Sequence, residues 1–147
     1  MMTTDAGLYQ ELILEHDRER HGHGLRDGAA GESHQRNPVC GDEVLLRLHV
    51  EGDRVADVSW QGSGCAISMA SASVLHDVVV GLSLDELGER IELFRDAMRS
   101  KGRQEIDEEL FGDAIALSGV SKFPARVKCA LLSWMAAEHA LDTARGL

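Results

Sequence analysis

Three cysteines and one aspartate stand where the chain can aim them. Cys40 and Asp42 flank Gly41 in Asn37-Pro38-Val39-Cys40-Gly41-Asp42. There Pro38 restrains the approach, and Gly41 frees the backbone for a tight turn. Cys65 follows Gly62-Ser63-Gly64, just before a helical pattern whose N-terminus favours a thiolate. Cys129 lies near the start of the last helical pattern. Three thiolates and a carboxylate form a set that tetrahedral Zn²⁺ accepts. Such a site would carry about two net negative charges, so a nearby cation would help. Arg126, three residues before Cys129 on the same helix face, is the candidate for that place; a solvated surface arginine is the alternative.

Spacing alone leaves the cysteines open between metal ligands and small buried hydrophobes, because no C-x-x-C pairs them in sequence. For Asp42 the alternative is a carboxylate at a turn or strand edge. The loop His21-Gly22-His23 offers further metal donors but reads equally as an exposed surface loop. His49 and His76 read as structural.

The elements that must position these residues follow from hydrophobic period. Leu8, Leu12 and Ile13 predict an N-terminal helix over about Leu8 to Arg20, with residues 1–7 flexible and 21–37 an exposed loop without apolar period. Val44, Leu46, Leu48 and Val50 alternate with Leu45, Arg47 and His49, the mark of a half-buried strand. A second strand over Val55 to Gln61 pairs with it through Glu51-Gly52-Asp53 as an antiparallel hairpin, and the stretch near Gly62 leads towards a third short strand. Ala66 to Val80 is a helix rich in small side chains that stops at Gly81. Leu84 to Met98 follows, with Ser83 as a possible cap, and residues 100–121 are ambiguous. Pro124 opens a last helix with Val127, Leu131, Trp134, Met135 and Leu141 along it. The sum is one α+β domain over 1–147.

Composition bounds what such a domain can do. The chain has 147 residues, 44% hydrophobic and 27% charged, with a net charge of −10. That acidity opposes nucleic acid, whose binders need clustered Lys and Arg. No apolar run reaches the length of a membrane span, and the N-terminus lacks the order of a signal peptide, so a cytoplasmic protein with neither nucleic-acid nor membrane partners is expected. Three cysteines, an odd number, fit poorly with a disulfide framework.

Three motifs taken together carry a resemblance. They are Asn37-Pro38-Val39-Cys40-Gly41-Asp42, Gly64-Cys65-Ala66-Ile67-Ser68-Met69-Ala70-Ser71-Ala72-Ser73 and Gly119-Val120-Ser121-Lys122-Phe123-Pro124-Ala125-Arg126-Val127-Lys128-Cys129. With these, the chain resembles the U-type iron-sulfur cluster assembly family (NifU N-terminal, IscU and SufU proteins), and within it the SufU branch. Lys128 stands where scaffold members typically carry His, and the Cys65 to Cys129 segment is longer than theirs. Asp17 to Gly24 departs from the Asn-Pro element common in the family after the first helix.

The resemblance implies a SufE/NifU-like α+β fold, a small antiparallel sheet of about three strands against several helices. It also implies Zn²⁺ held by Cys40, Asp42, Cys65 and Cys129. The expected activity is that of a zinc-dependent sulfurtransferase: Cys40 leaves the metal, accepts persulfide sulfur from a SufS-type cysteine desulfurase, and the sulfur passes to a downstream SUF scaffold complex. The alternative is a scaffold assembling a transient [2Fe-2S] cluster on the same ligands.

Overall fold

Apolar side chains alternating along two neighbouring strands set the inner face of a sheet, and that face determines where the helices go. In the computed structural model, which describes residues 6–147, strand β1 (Gly31–Asn37) pairs antiparallel with β2 (Asp42–Glu51), and β2 with β3 (Arg54–Ser63), in the order β1-β2-β3. Val44, Leu46 and Leu48 are buried, and their β3 partners Trp60 and Val58 are buried with them. Leu45, Arg47 and His49 take the opposite face and are half-buried.

Around the sheet run α1 (Ala6–Glu19), α2 (Ala66–Val79), α3 (Leu84–Arg99), the short α4 (Glu108–Phe111), a 3-10 segment (Gly112–Lys122) and α5 (Pro124–Ala144). Helix α5 lies across β1 and β2 and also packs on α2 and α3. Where α3 and α5 meet, Phe94 stacks on Trp134 with ring centroids 4.1 Å apart and planes 12° from parallel. Ser83 caps α3 in a reciprocal box with Glu86. Small residues let α2 approach closely: buried Ser71 accepts from Trp134 Nε1 at 3.0 Å and donates to the Ala130 carbonyl at 2.6 Å.

Two expectations need correction. Residues 21–37 are not a loop throughout, because Gly31–Asn37 forms β1. The third strand therefore precedes the expected hairpin instead of following Gly62. Strand β1 has no apolar period because its inward positions are Gly31, Ser33 and Asn37, pressed against α5. A Cβ on Gly31 would collide with the Ala140 carbonyl. The ambiguous stretch 100–121 resolves into α4 and most of the 3-10 segment. Of the flexibility expected for 1–7, residues 1–5 lie outside the described residues, whereas Ala6 and Gly7 begin α1. Among the described residues, no helix is long and apolar enough to cross a membrane.

Candidate functional site

The β1–β2 turn, the end of β3 and the start of α2 meet at one end of the sheet. Residues 38–41 form the turn, and Gly41 has φ +77° and donates its amide to the Asn37 carbonyl at 2.8 Å. Buried Asn37 also accepts from the Val39 amide at 3.2 Å, so its side chain braces the turn from inside. Cys40 is exposed at the tip beside Val39. Asp42 opens β2 and is buried, at the end of the inward row that continues through Val44 and Leu46.

Cys65 is the N-cap residue of α2, with its side chain making no capping bond. Its amide instead donates to Asp42 Oδ1 at 3.2 Å. Gly64 permits this: a Cβ there would lie 2.5 Å from Asp42 Oδ1. One turn into α2, Ser68 Oγ donates to Asp42 Oδ2 at 2.6 Å. Cys129, in the second turn of α5, is buried, with Sγ 3.9 Å from Cys40 Sγ. Donor atoms of Cys40, Asp42 and Cys129 lie within 4.8 Å of one another, and Cys65 Sγ is 3.9 Å from Asp42 Oδ2.

The separations discriminate between chemistries. A disulfide needs sulfurs about 2.05 Å apart. Two thiolates on one tetrahedral zinc, each about 2.3 Å from the ion, stand about 3.8 Å apart. The 3.9 Å between Cys40 and Cys129 suits the second arrangement. Electrostatics point the same way. Burial first, then Asp42 and Cys65, pushes the Cys129 thiol far up, so without a cation this sulfur stays protonated. Burial also works to raise the Asp42 carboxyl, but donors from Ser68, Cys129 and Cys65 outweigh it and hold it below its ordinary value. An ionised carboxylate beside a buried Cys129 thiol that is costly to ionise is an environment a divalent cation would balance, and the donor set fits Zn²⁺.

Arg126 borders the site on the side of Cys65. It is exposed, and its amide donates to the Phe123 carbonyl at 2.8 Å. With Cys65, Ile13, Leu14, Ile67 and Phe123 it lines an apolar cavity of ≈ 620 Å³. Sequence reasoning missed Ser68 as a site residue. Its signal was its place three residues after Cys65, on the same face of α2.

The model of the NifU-like N-terminal domain family matches residues 8–130. The chain belongs to this family. Among members and relatives of the NifU-like N-terminal domain family, a Bacillus subtilis (strain 168) protein named zinc-dependent sulfurtransferase SufU is 39% identical over 141 residues, covering 95% of this chain and 92% of its own. A Streptococcus pyogenes serotype M1 protein named iron-sulfur cluster assembly scaffold protein IscU is 36% identical over 134 residues, covering 91% and 82%. The crystal structure of a candidate SUF-system scaffold protein from Fervidobacterium islandicum AW-1 superposes with a TM-score of 0.82 at 34% identity, over 94% of this chain and 99% of that one. The α+β architecture described above is thus the fold of the family.

Proposed function

We propose that the chain is a zinc-dependent sulfurtransferase of SUF-type iron-sulfur cluster assembly, accepting sulfur from a SufS-type cysteine desulfurase onto Cys40. The observation that carries this reading is that Cys40 is the exposed sulfur of the group, on a hairpin tip, with buried Cys129 3.9 Å behind it. Only a sulfur at the surface can meet a persulfide carried by another protein. The name of the Bacillus relative supports the zinc-dependent reading.

Cys40, Asp42, Cys65 and Cys129 would hold the ion, which supplies the positive charge that keeps crowded sulfurs ionised. The transfer itself belongs to the chain. Cys40 Sγ, as thiolate, attacks the terminal sulfur of the desulfurase persulfide, forming a new S–S bond. The old S–S bond breaks, and the desulfurase cysteine leaves with the electron pair as a thiolate, so nothing is oxidised or reduced overall. The Gly41 turn lets Cys40 swing, while Cys129 is fixed by its helix. Exposed Val39, next to Cys40 in the chain, and exposed Phe123, which shares a cavity with Cys65, offer apolar surface suited to a partner, and the sulfur then passes to a downstream SUF scaffold complex.

The test mixes apo, zinc-loaded and Cys40→Ala protein with desulfurase and cysteine, and follows alanine release and protein-bound sulfane sulfur. Cys40→Ala is expected to retain no persulfide; unimpaired transfer would sink the assignment.

A second reading, a scaffold building a [2Fe-2S] cluster on the same four side chains, is favoured by the relatives named IscU at 36% and 34% identity. Metal analysis after anaerobic purification separates the two: colourless protein with stoichiometric zinc supports sulfur transfer, and a labile iron-sulfur chromophore supports the scaffold.

A further inference from the structure

Away from the cysteines, a second group of donors joins α1, the loop after it and α2. His16, buried near the end of α1, His21 in the loop and Asp77 in α2 each bring one donor atom to within 4.8 Å of the others. The two imidazoles meet edge-on with centroids 4.9 Å apart.

The hydrogen bonds show which nitrogen of each ring faces the cluster. His16 Nε2 lies 2.9 Å from Asp113 Oδ2, and His21 Nε2 lies 2.9 Å from Glu19 Oε1. A carboxylate can only accept, so each ring donates from Nε2 and turns Nδ1 towards the cluster, His21 donating from Nδ1 to Asp77 as well. For His16 this is enforced twice. Ser73 Oγ, already accepting the His21 amide at 2.9 Å, sits 2.7 Å from His16 Nδ1 and donates its own proton there. His21 Nδ1 faces Asp77 Oδ2 at 2.7 Å, and the other Asp77 oxygen is held by His76 Nδ1 at 3.1 Å. Carboxylates gripping the far nitrogen of each imidazole are what metal-ligating histidines ordinarily have around them.

The geometry points to a second cation site here, formed by His16, His21 and Asp77, for a borderline divalent transition ion of the Zn²⁺, Co²⁺ or Ni²⁺ class. Two imidazole nitrogens and one carboxylate oxygen suit such ions better than Mg²⁺ or Ca²⁺, which prefer oxygen throughout. Glu19, Asp57 and Asp113 add negative charge nearby, and the whole chain is acidic at −10. In the absence of an ion, the Ser73 proton fills the His16 Nδ1 lone pair and a proton on His21 Nδ1 bridges to Asp77, and an ion takes the place of both. Occupancy would pin the loop after α1 to α2. The site is independent of the sulfur-transfer reading, since it shares no residue with the cysteine group.

Apo protein, reduced and anaerobic, is titrated with Co²⁺ while its absorption and binding stoichiometry are followed. Cobalt on the cysteines gives thiolate-to-metal charge transfer in the near ultraviolet; cobalt on His16, His21 and Asp77 gives only weak visible bands. The expected result is a further equivalent without a thiolate band, lost in both His21→Gln and Asp77→Asn while the thiolate band stays unchanged. Nitrogen-resolved NMR of the histidine rings with Zn²⁺ should move His16 and His21 Nδ1 and leave both Nε2–H groups in place. Absence of this equivalent from the wild-type protein, or its persistence in both variants, overturns the proposal. A missing thiolate band would bear only on the cysteine site.

Discussion

Ser68 Oγ donates to Asp42 Oδ2 at 2.6 Å, tying the carboxylate that opens β2 to the first turn of α2. Ser68 is also 3.6 Å from Cys65 Sγ. Its hydroxyl thus orients two of the four proposed ligands at once. Ser68→Ala should leave the fold intact and weaken zinc binding by about 10- to 100-fold, the usual cost of losing a group that orients a ligand. Competition against a chromophoric chelator measures this; wild-type affinity in the variant would remove Ser68 from the site.

Gly64 makes a sharper prediction. A Cβ there would lie 2.5 Å from Asp42 Oδ1 and 2.8 Å from its Cγ, so Gly64→Ala must push the carboxylate away from the Cys65 amide. Faster zinc release is expected, with a smaller change in melting temperature than in metal affinity. Equal release rates would mean that the carboxylate can shift without loss.

At the start of α3, Ser83 accepts from the Glu86 amide at 3.1 Å while Glu86 Oε1 accepts from the Ser83 amide at 2.9 Å. Ser83→Ala should destabilise the protein by about 1 kcal/mol. In a domain of this size that lowers Tm by about 2–4 °C. Sulfur transfer should not change, because the cap lies far from Cys40 in the fold. Calorimetry of the variant decides the matter.

His49 gives a pH dependence. Burial chiefly lowers its pKa below the ordinary 6.5, with Arg26 and Arg47 adding to this against the opposing pull of Asp57. The folded protein therefore binds this proton less readily than the unfolded chain. Its stability contribution is complete above about pH 6.5 and declines as pH falls from there towards the folded-state value. Urea denaturation of the wild type should show this loss, and His49→Gln should show a flatter profile across the same range. Identical slopes would dismiss the effect.

How much of this could be read from residues alone varies by element. The meeting of Cys40, Asp42 and Cys129 was legible because thiols and a carboxylate stand beside glycines and a proline that mark turns able to aim them. Strands β2 and β3 were legible from the alternation of Val44, Leu46 and Leu48. Strand β1 was not. Its buried positions Gly31, Ser33 and Asn37 are chosen for closeness to α5 and for bracing the Cys40 turn, and neither purpose leaves an apolar pattern. Arg126 shares a cavity with Cys65, but three-residue spacing fixes a helix face and not the reach of a long side chain, so its part beside the thiols was not legible. The stretch from Glu108 to Lys122 shows no α-helical period because most of it is 3-10 in form.

The outer border of β3 is closed by two loop segments. The Gly24 amide donates to the Trp60 carbonyl and the Trp60 amide to Gly22, while Val55 exchanges bonds with Gly81 and Leu82. At the opposite border, β1 presents exposed Glu32, His34 and Arg36. A foreign strand seeking to extend this sheet would find one side already stitched and the other studded with charge. Both borders of the sheet are thereby guarded against edge-to-edge pairing between copies of the chain.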